Sequence, residues 1–171
     1  CARCDAAFRS RFGRAMAEAP DADIAAFELR QRIDFTGLTY RKVKDVNPAW
    51  ASYINAGVLN AHCTTRELVE LLGYNDIVGT EGGFQFYGPP AECPPWRCGL
   101  SARSLEAVAG AKPRVIFMAG DHKPWSWYLH TPAETTLCYA SALANGASVW
   151  YGIHCDTRSL DSAPGRAARR M

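Results

Sequence analysis

The sequence predicts an α/β fold built on a parallel sheet, and two observations lead to this prediction. Four short apolar runs, near residues 50–55, 76–80, 115–117 and 149–153, have the length and composition of strands. Helical patterns alternate with these runs, as expected when a crossover helix joins each strand to a parallel neighbour. The length of 171 residues, with 48% hydrophobic and 21% charged residues, is that of one globular domain.

The first fifty residues are predicted to be helical. A first helix has Asp5 as its expected N-cap and buries Phe8 and Phe12. A longer helix begins at about Asp23, and Asn47-Pro48 ends it because the residue before a proline is disfavoured in the helical region. Four further helices are predicted at about residues 65–72, 101–109, 131–145 and 164–171.

Polar and aromatic residues are concentrated in the loops that follow the predicted strands. Both doubly wound sheets and closed barrels place their chemistry at the carboxyl ends of parallel strands. The loops on the opposite side, such as residues 73–75 and 110–112, are short. The strand-end candidates for a binding or catalytic site are Asn55, Asn60, Glu81, Asp121, His122, Lys123, Trp125, Trp127 and His154.

Glu81 is the candidate catalytic residue. It directly follows an apolar strand and precedes Gly82 and Gly83, which would let a ligand approach the backbone. A carboxyl group in apolar surroundings can act as a general acid because its pKa is raised. The alternative interpretation is a surface carboxylate on a turn.

The loop after the third strand is predicted to bind a sugar. Trp125 and Trp127 offer flat aromatic faces for the apolar C–H face of a sugar ring, although core packing explains any single Trp equally well. Asp121, His122 and Lys123 supply an acid, a base and a cation, but consecutive loop residues rarely all face one ligand.

Two further candidates have structural alternatives. Glu134 lies in Thr131-Pro132-Ala133-Glu134, which matches a capping box with proline in the first helical turn. Capping alone therefore explains Glu134, and substrate binding is the second interpretation. His154 ends an apolar strand, where it is either a core histidine or a hydrogen-bonding partner of the substrate.

Charge and motifs exclude several classes of partner. A formal net charge of +2 does not predict binding to nucleic acid or to an acidic membrane surface. The apolar runs are shorter than a membrane span, so we expect a soluble protein. Gly82-Gly83 lacks the Lys and Ser/Thr of a phosphate loop, which argues against a nucleotide cofactor.

The seven cysteines favour reduced thiols. An odd number at irregular spacing does not fit a fully paired disulfide framework, which slightly favours a cytoplasmic location without fixing the compartment. Cys1 and Cys4 form a CxxC pair, which can supply half of a zinc site or a redox pair. The chain starts at Cys1 without an initiator Met and stops at Met171 inside a predicted helix, so we expect a piece of a longer polypeptide.

The sequence resembles one group of proteins along almost its whole length. The matching segments are residues 1–9, 47–55, 123–128, 131–134, 140–147 and 150–154. They resemble the carboxyl-terminal half of barrel domains in hypothetical glycosyl hydrolases, which are related to β-galactosidase and α-fucosidase type glycoside hydrolases.

The resemblance implies a partial (β/α)8 TIM barrel over residues 1–171, with strands five to eight and their helices present and the amino-terminal half absent. Glu81 would follow the sixth strand, where fucosidase-like barrels can carry the acid/base. The nucleophilic carboxylate usually follows the fourth strand, upstream of Cys1. In β-galactosidase-type barrels a nucleophilic Glu follows the seventh strand, where this chain has Asp121. Some of these barrels bind zinc through the Cys cluster, which would need more ligands than Cys1 and Cys4.

These features together predict a fragment of a carbohydrate-binding glycoside hydrolase that is inactive alone and cleaves O-glycosidic bonds when a second carboxylate is supplied. Exposed sheet edges would favour a homo-oligomer. The rival predictions are a non-catalytic carbohydrate-binding barrel and a small open-sheet α/β binding module. A sequential strand order favours the half-barrel over the open-sheet module, whose order would switch.

Overall fold

The computed structural model describes residues 1–55, 65–82, 96–120, 129–153 and 157–170. The chain forms two compact units, one from Cys1–Trp50 with Ala61–Tyr74 and the other from Ala51–Asn60 with Asn75–Met171. Within the described ranges, no helix is both long enough and apolar enough to span a bilayer.

The first unit is helical and the second is α/β. The first contains α1 (Ala2–Phe12), α2 (Asp21–Val46) and α3 (Thr65–Gly73), with a short 3-10 helix at Met16–Glu18. The second contains β1 (Tyr53–Asn55), β2 (Ile77–Glu81), α4 (Arg97–Ala109), β3 (Arg114–Ala119), α5 (Pro132–Ala144), β4 (Ser148–Gly152), a 3-10 helix (Thr157–Asp161) and α6 (Ala163–Ala168).

Aromatic packing joins the two helices at the start of the chain. The Phe8 ring stacks on Phe12 with 4.5 Å between centroids and meets Phe27 of α2 edge-on at 5.2 Å. Phe8 and Phe27 are buried, so burial of apolar area drives this contact. The predicted buried stripe of the first helix is therefore confirmed at Phe8.

The predicted N-cap of α1 is wrong. The helix begins at Ala2 with Cys1 as its N-cap, which places Asp5 inside the helix. The Asp5 carboxylate pairs with Arg9 at 2.7 Å and accepts a hydrogen bond from the Met16 backbone N–H at 2.9 Å. These two partners, Arg9 first, lower the pKa of Asp5. The Asp5 carboxylate thus holds the segment that follows the helix through the hydrogen bond from Met16. A local capping pattern does not reveal this contact.

A polar clamp and a close aromatic contact join α2 to α3 and the turn after it. Arg30 donates to the two carboxylate oxygens of Glu70 at 3.1 and 2.9 Å, which is the bidentate geometry of a strong ion pair. At Gly37, a Cβ would lie 3.1 Å from the Tyr74 ring. The glycine in the middle of α2 therefore makes room for Tyr74. The helix ends at Val46 with Asn47 as C-cap, as the Asn47-Pro48 pair predicts.

The four strands of the second unit form one parallel sheet in the order β1-β2-β3-β4. Ile54 pairs with Val78, Gly79 with Val115, and Phe117 with Trp150. The predicted α/β class with a parallel sheet is confirmed, and the strand order is sequential.

Helices α4 and α5 pack on one face of this sheet. The side chains on this face of the sheet are buried, and they include Val78, Thr80, Ile116 and Met118. On the α4 side, the Cys98 thiol donates to the Gly82 carbonyl at 2.8 Å. On the α5 side, Tyr139 meets Tyr151 edge-on at 6.2 Å between ring centroids. This face carries the hydrophobic core of the unit.

The predicted capping box at the start of α5 is confirmed. The Thr131 side chain accepts a hydrogen bond from the Glu134 N–H, and the Glu134 carboxylate accepts one from the Thr131 N–H. Pro132 occupies the first turn. Backbone N–H groups there have no partner within the helix, so the lack of an N–H in proline costs no helical hydrogen bond.

We expect Thr131→Ala to lower the free energy of unfolding by about 1 kcal/mol, because the helix loses the side chain that satisfies a first-turn amide. Chemical denaturation measures the difference. Thr136→Ala is the matched control, since Thr136 is exposed inside the same helix and its hydroxyl donates to the Pro132 carbonyl. Equal losses in the two variants would contradict the capping role.

Candidate functional site

The last residues of the first two strands meet at the carboxyl end of the sheet. Asn55 ends β1 and Glu81 ends β2. The Asn55 side-chain amide donates a hydrogen bond from Nδ2 to Glu81 Oε1 at 3.1 Å. The structure thus brings together two of the residues that the strand-end pattern predicts as site residues, the candidate catalytic carboxyl group and an amide that fixes one of its oxygens.

Three aromatic rings lie on the same face of the sheet as this pair. Alternation along the strands and their register place Tyr53, Phe117 and Trp150 on one face, opposite to the face that carries α4 and α5. The Trp150 ring lies 4.7 Å from Phe117 and 6.1 Å from Tyr53, centroid to centroid. Trp150 is 53% exposed and Tyr53 38% exposed. We call these three residues the aromatic face.

Two glycines let the aromatic rings lie directly on the backbone. A Cβ at Gly79 would lie 2.5 Å from the Tyr53 hydroxyl oxygen, and a Cβ at Gly152 would lie 2.7 Å from the Phe117 ring. A side chain at Gly79 would therefore displace the Tyr53 ring from the sheet, and a side chain at Gly152 would displace the Phe117 ring. The two glycines therefore allow the Tyr53 and Phe117 rings to pack against the backbone of the neighbouring strands.

Tyr53 and Glu81 interact electrostatically. Partial burial, and secondarily the negative charge of Glu81, raise the pKa of the Tyr53 phenol. The phenol therefore keeps its proton at neutral pH and remains a hydrogen-bond donor. The site accordingly offers a carboxyl group, an amide and a phenol for hydrogen bonding, next to partly exposed aromatic surface.

Glu134 lies at the start of α5, where its carboxylate is used by the cap. Its Oε2 accepts hydrogen bonds from the Thr131 N–H at 2.7 Å and the Thr131 hydroxyl at 2.9 Å. The Nδ1 atom of the buried His130 side chain lies 3.6 Å from the same oxygen. The backbone N–H of His130 donates to the backbone carbonyl of Gly120, directly after β3. The geometry accounts for capping, and substrate binding by Glu134 stays a prediction.

Most of the remaining predicted site residues lie outside the described parts of the chain. These residues are Asn60, Asp121, His122, Lys123, Trp125, Trp127 and His154. Their roles stay predictions.

Cys1 and Cys4 lie together on the surface at the start of α1, with their sulfur atoms 3.2 Å apart. Two thiolates supply two of the four ligands of a structural zinc ion. Among the described residues, no group of three or more His, Cys, Asp and Glu side chains could hold a metal. The described residues therefore do not complete a zinc site, and zinc at Cys1 and Cys4 stays a prediction.

The sequence alone does not single out the aromatic face or His130. Tyr53, Phe117 and Trp150 lie within strands, where large apolar residues suggest core packing. The signal that could have found them is the two-residue alternation, which separates Phe117 from Ile116 and Met118 once the register is known. His130 could have been noted because it directly precedes the capping box.

Comparison of the chain with protein-family models, with curated proteins and with solved structures finds no match.

Proposed function

We propose that this chain is the carboxyl-terminal half of a glycoside-hydrolase-like TIM barrel, which binds carbohydrate and hydrolyses O-glycosidic bonds with a pair of carboxyl groups. The observation that carries the proposal is the Asn55–Glu81 pair next to the aromatic face at the carboxyl end of a parallel sheet. Such a site combines stacking surface with hydrogen-bonding groups, as sugar binding requires.

The topology supports the barrel part of the proposal. A sequential order of parallel strands, with α4 and α5 on one face, is the arrangement of consecutive units in a (β/α)8 barrel. An open doubly wound sheet would instead change strand order and form its crevice at the switch point. In the proposed barrel the aromatic face points inward, and Phe117 and Trp150 lie level with Glu81 at the carboxyl-end mouth of the barrel.

In the proposed reaction Glu81 acts as the acid/base. Glycoside hydrolysis needs two carboxyl groups about 5 to 5.5 Å apart for retention, or about 6.5 to 9.5 Å apart for inversion of the anomeric centre. Within the described residues, the face that carries the aromatic rings has one carboxylate, Glu81. The second would therefore come from a strand outside these four, and the chain alone would bind sugar without cleaving it.

The residues assigned to sugar binding surround Glu81 at the strand ends. Asn55 would hold the carboxyl group and bind a sugar hydroxyl, and the other proposed substrate contacts are Asn60, Asp121, His122, Lys123, Trp125, Trp127, Glu134 and His154.

A panel of activated aryl glycosides tests the proposed function. Each substrate is assayed with a polypeptide that carries the complete barrel, and the products are titrated against the 171-residue chain by calorimetry. We expect turnover of at least one substrate by the complete barrel, and binding without turnover by the chain. Failure of both proteins to bind any sugar of the panel would refute the proposal.

We expect Trp150→Ala to weaken sugar binding roughly two- to tenfold, if the lost stacking contact is as strong as a pair of aromatic side chains, about 0.5 to 1.5 kcal/mol. Titration calorimetry on the 171-residue chain measures the affinity. Trp96→Ala is the matched control, since Trp96 is also exposed but precedes α4. If both variants bound as tightly as the unaltered chain, Trp150 would have no role in stacking.

The alternative is a carbohydrate-binding barrel without catalysis, which the single carboxylate among the described residues of that face favours. The two functions differ in one measurement. A complete barrel that binds sugar but cleaves none of the aryl glycosides would identify the binding protein, whereas measurable turnover identifies the enzyme.

A further inference from the structure

Two exposed thiols lie in contact at the amino-terminal end of α1. The sulfur atoms of Cys1 and Cys4 are 3.2 Å apart, and both residues are exposed. Cys98 and Cys138 are, by contrast, buried, and the Cys98 thiol also donates to the Gly82 carbonyl. A reagent in solution therefore reaches Cys1 and Cys4 but not Cys98 and Cys138.

The local geometry suits a bond between the two sulfur atoms. Residues three apart on an α-helix have Cα atoms about 5 Å apart, which lies within the disulfide range of about 4.4 to 6.8 Å. Cys1 is the N-cap, so its backbone is only partly fixed by the helix, through the bond from the Asp5 N–H to the Cys1 carbonyl. The sulfur atoms need to approach by roughly 1 Å to reach bonding distance, which rotation of the Cys1 side chain can supply.

We propose that Cys1 and Cys4 form a redox-active dithiol that low-molecular-weight disulfides, such as glutathione disulfide, oxidise reversibly. The thiolate of one cysteine attacks a sulfur of glutathione disulfide, which forms a mixed disulfide and releases one glutathione thiolate. The second cysteine thiolate then attacks the protein sulfur of the mixed disulfide and releases the other glutathione thiolate. The two protons of the protein thiols pass to the two glutathione molecules, so one disulfide is reduced as another forms.

The short distance between the thiols decides the product. A lone exposed cysteine would stop at the mixed disulfide, whereas here the second sulfur is already in van der Waals contact with the first. The intramolecular step therefore benefits from a high effective concentration. This inference uses neither Glu81 nor the aromatic face, so it stands or falls separately from the proposed glycosidase function.

Proteolysis gives a direct readout of the oxidised pair. Trypsin cleaves after Arg3 and Arg9, so residues 1–3 and 4–9 separate from each other unless a disulfide joins them. The full chain is equilibrated in a buffer of reduced and oxidised glutathione, its remaining thiols are alkylated, and the digest is analysed by mass spectrometry. We expect the linked peptides to exceed glutathione-bearing peptides from this pair by more than about tenfold.

Cys1→Ser and Cys4→Ser are the matched variants, because both residues are exposed and each change leaves one thiol in place. In each we expect the remaining cysteine to keep glutathione as a mixed disulfide, and a reducing agent to restore the thiols of every form. The proposal would be overturned if glutathione-bearing peptides of Cys1 or Cys4 equalled or exceeded the linked peptides in the unaltered chain, or if the pair were oxidised no more readily than Cys98 and Cys138.

Discussion

Glu81→Gln is expected to lower kcat/KM for the proposed glycoside hydrolysis by about 10²- to 10⁴-fold in the proposed complete barrel, because the proposed acid/base can no longer transfer a proton to the leaving group. The substitution keeps the shape of the side chain, and the new amide oxygen can still accept the hydrogen bond from Asn55 Nδ2. The loss therefore reports chemistry rather than a change in local structure.

The leaving group provides a sharper test of this role. A nitrophenolate leaves without protonation, whereas an alkoxide needs a proton, so the loss of rate should be larger for alkyl glycosides than for nitrophenyl glycosides. Glu106→Gln is the control, since Glu106 is in α4 and pairs with Arg103 and Arg114. An equal loss for both leaving groups would contradict the acid/base role, and unchanged rates would remove Glu81 from catalysis altogether.

The second large effect concerns the stability of the sheet and its helices. We expect Leu105→Ala to lower the free energy of unfolding by about 2 to 5 kcal/mol, because Leu105 is fully buried in α4 and its truncation leaves a cavity. Leu100→Ala is the matched control in the same helix, since Leu100 is 45% exposed. Its loss should stay below about 1 kcal/mol, because little apolar area leaves the core.

Urea denaturation followed by circular dichroism measures both variants. If Leu100→Ala cost as much as Leu105→Ala, the side of α4 that packs on the sheet would be assigned incorrectly. The midpoint should shift without a change in slope, since the extent of surface exposed on unfolding is the same.

Local signals in the sequence predict individual helix ends. The capping box at Thr131 sets the start of α5, and Asn47-Pro48 sets the end of α2. The prediction of Asp5 as the N-cap of α1 is wrong. The Asp5 carboxylate instead binds the Met16 backbone N–H, which lies beyond the end of the helix and is not indicated by the residues of the first turn. Local chemistry therefore places elements along the chain, whereas contacts between segments need the structure.

The candidate site also combines features that the sequence predicts with features that only the structure reveals. Because parallel strands end on one side of a sheet, the sequence could place Asn55 and Glu81 near each other before their hydrogen bond was known. The sequence could not assign Tyr53 and Trp150 to that site, since their common face depends on the register of four strands. A shift by one residue would have turned each ring to the opposite side.

The sheet order also has a consequence for how the second unit folds. Each of the three strand pairings in the described sheet is parallel, and Val115 meets its partner Ser148 only after the chain has passed through α5. The chain must close a loop that contains a helix before the first hydrogen bond between these two strands forms. The conformational entropy of the loop is therefore lost before any energy of strand pairing is gained. Such a topology slows the search for the native state and lengthens the time during which unpaired strands are open to other chains.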